Sequence, residues 1–115
     1  MDGHLNRAIV LFNNGEFFRC HEVLEEAWVA ETEPRRLFLQ SLIHCAVGFY
    51  HHQRSNPVGA ARQLHKGLDK LAAYVPSTEG IDTRRLEWDV RAALAQIETG
   101  TALSEYPQIH AHAGD

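Results

Sequence analysis

The stretch best equipped for chemistry is Phe18-Arg19-Cys20-His21-Glu22-Val23-Leu24-Glu25-Glu26, in which His21 and Glu25 stand four residues apart. That spacing puts an imidazole and a carboxylate one turn apart on the same helix face. Such a pair can contribute to a divalent-metal site, move a proton, or fix the imidazole tautomer by a hydrogen bond. A zinc protease of the HExxH type needs its second histidine where Glu25 stands, so that reading fails at its defining ligand. A second set follows downstream. Gln40, His44 and His51 recur at i, i+4 and i+11 on one narrow helical stripe, with Gly48 between the histidines. Gly48 would let a ligand or another helix come close. His52 is turned by about 100° from His51, so the two neighbours are not read as a pair.

Two expectations follow. If the stripe faces His21 and Glu25, the five side chains His21, Glu25, Gln40, His44 and His51 form one polar pocket inside an apolar bundle. A buried imidazole needs partners for its ring nitrogens, so a structural network is the leading reading. The protein is then a non-catalytic binding or interaction module, with self-association or a protein partner as its outlet. The alternative is a metal-dependent enzyme, a hydrolase, using His21, Glu25 and His51 as ligands and Glu22 as base. It requires three convergent donors and an open coordination position. There is no GxGxxG or Walker A loop to cradle a phosphate and no GxSxG elbow, so no cofactor is identified and no catalytic residue is assigned.

The elements that must position these residues are helices, since no stretch alternates as a half-buried strand would. A first helix from Gly3 to Phe12 is stopped by Asn13-Asn14-Gly15. A second, Phe17 to Ala30, buries Phe17, Cys20, Leu24, Ala27 and Trp28 along one face. A third, from Pro34 to Arg54, is apolar nearly all round and is therefore the central helix. Asn56-Pro57 combines an N-cap residue with proline at the first helical position and opens a fourth helix, which reaches Val75 before Pro76. Asp82 caps a fifth, with Leu86, Val90, Ala93, Leu94 and Ile97 inward and Gly100 past its end. The predicted fold is all-α: a single bundle of about five helices, two consecutive antiparallel hairpins plus a C-terminal helix. Residues 1–100 form the bundle and 101–115 a tail that either belongs to the same domain, lying along its surface, or frays. The two hairpins resemble a tetratricopeptide-like pairing, but one comparison makes no repeat array.

With 115 residues there is room for one hydrophobic core. A formal charge of -4 removes the basic excess that general nucleic-acid binding demands, although 8 histidines make that charge sensitive to mild acid. The longest apolar-rich segment, Leu37 to Tyr50, is interrupted by Gln40, Ser41 and His44, and the start has no basic region before an apolar run, so neither membrane span nor leader is expected. Cys20 and Cys45 lack metal or redox spacing and read as small buried hydrophobes in a cytoplasmic protein.

The His-Glu stretch ending at Trp28 resembles the signature of the small bacterial and archaeal helical family called domain of unknown function 309. The segments Phe38-Leu39-Gln40-Ser41-Leu42-Ile43-His44, Ala46-Val47-Gly48-Phe49-Tyr50-His51, Arg54-Ser55-Asn56-Pro57-Val58-Gly59-Ala60 and Gly67-Leu68 are similar to its second block. The resemblance runs from Leu5 to Leu71. It implies a compact helical bundle without an established reaction, so it supplies no catalytic residues. Arg19 departs from the family's frequent acidic residue, Ser41 from its glycine and His44 from its glutamine.

Overall fold

The computed structural model describes residues 3–113, leaving Met1, Asp2, Gly114 and Asp115 outside. Five α-helices follow in order: α1 (Gly3–Asn13), α2 (Phe17–Val29), α3 (Arg35–Gln53), α4 (Pro57–Leu71) and α5 (Thr83–Glu98), with a 3-10 turn, Ala72–Tyr74, after α4. The described residues contain no strand beyond isolated bridges pairing Ile81 with Thr78 and Ala111. Consecutive helices pack on one another, and the α3/α4 contact is the most extensive.

Helix ends account for this order. At the end of α1, Gly15 takes φ 77°. The Gly15 and Glu16 amides donate to Phe12 and Leu11, which satisfies carbonyls left over by the helix. The same pair of bonds closes α5 at Gly100 and Thr101, and closes α3 at Ser55 and Asn56. Asn56 then caps α4, its side chain accepting from the Gly59 amide at 3.0 Å, with Pro57 at the first helical position. Asp82 caps α5 through the Arg85 amide at 2.9 Å. One boundary departs from expectation: α4 stops at Leu71, short of Val75, and its last turn tightens to 3-10. The Tyr74 carbonyl is taken instead by the hydroxyls of Thr78 and Thr83, both at 2.6 Å.

The core forms around α3, where Phe38, Leu39, Leu42, Cys45, Ala46 and Phe49 are buried. Phe12, Phe17 and Phe49 meet at centroid distances of 5.1 to 6.1 Å, joining both hairpins. Burial pushes both thiols, Cys20 and Cys45, up to about 12, so they stay protonated and inert as packing groups. On its other side α3 lies tight against α4. A Cβ built at Gly48 would come within 2.7 Å of Leu64, and one at Gly67 within 2.8 Å of the Cys45 sulfur. The space under Gly48 is filled by a helix.

Candidate functional site

His21 and Glu25 meet as their spacing requires: Nε2 lies 3.3 Å from Glu25 Oε1, and Nδ1 lies 3.1 Å from the Phe18 carbonyl. Both ring nitrogens face oxygen acceptors. The His21 side chain keeps 20% of its exposure and Glu25 keeps 54%, placing the pair at the surface of α2 and not inside the core. Glu22 points to solvent.

The stripe on α3 turns elsewhere. His44 Nδ1 pairs with Gln63 Oε1 of α4 at 2.7 Å, which makes Nδ1 the protonated nitrogen. Its Nε2 is buried without a hydrogen-bond partner. Burial holds the His44 pKa below the ordinary histidine value; the Gln63 bond opposes this, and Lys70 and Lys66 add to the fall. Gln40 and His51 are half-buried on the same stripe, and neither hydrogen-bonds His21 or Glu25. Of His21, Glu25, Gln40, His44 and His51, the structure pairs His21 with Glu25 on α2 and His44 with Gln63 between α3 and α4. The close approach of α4 at Gly48 and Gly67 brings Gln63 to His44 on this side of α3. Among the described residues, no three His, Cys, Asp or Glu side chains are grouped to hold a metal ion, so His21, Glu25 and His51 are not a ligand set in this geometry.

What does converge is aromatic. The Phe18 ring sits 5.2 Å from His21 and 5.1 Å from Tyr50, and Tyr50 is followed by His51 at 6.3 Å with the Arg54 guanidinium 5.8 Å above its ring. Phe18 is nonetheless 46% exposed. At the other end of α2, Trp28 packs against the core from its flank, partly buried, with the Arg36 guanidinium stacked 3.7 Å above it.

Sequence reasoning missed three pairings. His52 Nδ1 meets the Tyr106 hydroxyl at 2.7 Å, His65 meets Glu98 at 2.8 Å, and Asn13 grips the tail. From Tyr106 to His112 the tail lies along the surface and is tied to it. Tyr106 packs edge-on against Phe17 and Phe49, and Ile109 is buried. Between the tail, the end of α1 and α5 runs a cleft of about 620 Å³, floored by Phe12 and Ala93 and edged by Asn14, Asp89, Gln96 and Glu105. None of these contacts has a local signal in the sequence.

Comparison with known proteins finds relatives of uncharacterized function. The chain is similar to the uncharacterized protein YpuF of Bacillus subtilis (strain 168), 36% identical over 90 residues, which are 76% of this chain and 52% of that protein. An uncharacterized protein of Aquifex aeolicus (strain VF5) is 27% identical over 97 residues, 84% of this chain and 29% of its own length. The chain thus spans about half of the first relative and less of the second. A crystal structure of a conserved hypothetical protein, TTHA0068 from Thermus thermophilus, shares the fold with a TM-score of 0.71 at 27% identity, covering 83% of this chain and 99% of that one. The family model described as Domain of unknown function (DUF309) matches residues 5–63, which take in the His21–Glu25 helix, all of α3 and the cap of α4. The chain belongs to the DUF309 family.

Proposed function

We propose that this domain is a non-catalytic binding or interaction module whose contact surface is the aromatic and imidazole face formed by Phe18, His21, Tyr50, His51 and Arg54. The observation that carries it is Phe18, a large apolar ring nearly half in water between two other rings and bordered by charged groups. Exposed apolar surface rimmed by polar groups is the usual mark of a contact site. The histidines support the same reading, because His21, His44 and His52 each spend a ring nitrogen on a separate partner. Residues 1–100 with the tail 101–115 act as one domain. Its partner is protein, a second copy included, and the charge of -4 argues against general nucleic-acid binding. Among the described residues no helix is long and apolar enough to cross a membrane, and two buried free thiols suit a reducing cytoplasm.

Sedimentation of the tag-free protein over a wide concentration range tests this. The average mass is expected to rise above 13.0 kDa with concentration, and in a Tyr106→Ala background, where the tail cannot exchange, Phe18→Ser is expected to abolish the rise. Equal association by the variant removes this face from the reading. Metal analysis of the same sample covers catalysis: one divalent ion per chain, lost in His21→Ala, would replace the module with a metal enzyme.

A further inference from the structure

The tail is held in the way one protein holds an extended peptide. Asn13 donates from Nδ2 to the Ile109 carbonyl at 2.9 Å and accepts the Ile109 amide at 2.7 Å, so its carboxamide pairs with both backbone groups of one residue, as a neighbouring strand would. The Gln108 side chain donates back to the Asn13 carbonyl at 3.2 Å. Farther along, the Asp82 amide donates to His110 and the His112 amide to Gly80, both at 2.8 Å. Two side chains anchor the segment. Tyr106 fits among Phe17, Phe49 and His52, with its hydroxyl on His52, and Ile109 is buried three residues on. Two side-chain anchors, with main-chain bonds at the second anchor and beyond it, hold the segment as an extended peptide is held.

The piece that connects this segment to α5 is of another character. After the helix closes at Gly100 and Thr101, Ala102, Ser104 and Glu105 are exposed and only Leu103, half-buried, packs against the core. The docked segment is thus joined to the bundle by a short, mostly exposed hinge held by the single side chain of Leu103.

We propose that the groove formed by Asn13, Phe17, Phe49 and His52 is an interaction surface for residues 106–112 of a second copy of this chain. The second copy is the occupant because its segment carries the same tyrosine, proline and isoleucine at the same spacing. Exchange between two copies keeps each anchor and each backbone bond and alters only the hinge, giving a closed symmetric dimer. Protein concentration and hinge length set the balance between the tail in cis and the tail in trans. This surface is distinct from the Phe18 face, and its test is independent of that one.

Deleting Ala102 to Ser104 removes about 10 Å of reach from the hinge. The shortened chain is expected to run as a dimer by light scattering, with unchanged helical signal, while Phe18→Ser leaves that dimer intact and Tyr106→Ala returns it to monomer. A folded shortened chain that stays monomeric overturns the proposal, as does a dimer indifferent to Tyr106→Ala. Hydrogen exchange on the unaltered chain decides the matter if the shortened one does not fold. Amides of Ile109 and His112 should exchange at least about tenfold faster than those of Ala46 and Phe49, because a docked segment opens without the bundle. Equal protection would make the tail an integral part of the core and end the proposal.

Discussion

Protonating His44 is harder in the folded chain than in the unfolded one, because its imidazole is partly withdrawn from water and Lys66 and Lys70 stand near it. The unfolded chain therefore takes up the proton first as pH falls. This contribution to stability is full above the unfolded value near 6.5 and declines as pH drops from there through the lower folded value. His44→Gln, which keeps a carboxamide beside Gln63 and cannot titrate, is expected to lose less stability than the parent between pH 7 and pH 5 in urea melts. Parallel profiles would remove His44 as the cause. Trp28→Ala is expected to cost about 2–3 kcal/mol, less than an enclosed indole, through lost packing and the lost Arg36 stack. A cost under about 0.5 kcal/mol would mean that the indole adds nothing to the core. The His21–Glu25 pair was legible in the sequence because both residues share one helix turn. The partner of His44 was not, because a helical wheel gives direction within one helix and Gln63 belongs to another.

Helix boundaries were legible wherever the cap is local. Asn56-Pro57, Asp82 and Gly100 each act through bonds spanning only a few residues, so residue type alone announced them. The end of α4 was not legible, because its apolar pattern continues to Val75, whereas the bonds that redirect the Tyr74 carbonyl come from Thr78 and Thr83 beyond it. Gly48 invites either a ligand or a helix, and α4 is the answer. The closure of α3 carries a cost: Ser55 holds φ 60° where Gly15 and Gly100 do the same work in the other two closures. Ser55→Gly is expected to raise stability by about 1 kcal/mol, since left-handed backbone penalises a Cβ. A melting midpoint that stays put or falls would show that the serine side chain compensates for its backbone.

At the scale of the whole molecule, a radius of gyration of 13.1 Å matches a single packed domain of this length. The all-α class and the two hairpins were legible because helical periodicity and caps are short-range. The tail was not, because its clamp joins Asn13 to Ile109 across 96 positions of sequence, and no periodicity reaches that far. That separation bears on the order of events in folding. Helices α1 to α4 meet neighbours in sequence and need only short loops closed, which favours fast formation. Tail docking must close a loop nearly as long as the chain and gains its contacts only once Phe17 and Phe49 are already together. The transition state should therefore contain the hairpins and lack the tail. Tyr106→Ala is then expected to speed unfolding in stopped-flow experiments while leaving the folding rate nearly unchanged, whereas Gly67→Ala, which wedges α3 from α4, should slow folding itself. If Tyr106→Ala slows folding as much as it destabilises, the tail belongs to the nucleus. Otherwise it acts as a latch on lifetime: it sets how long the native state persists once formed and leaves the speed of its formation to the helices.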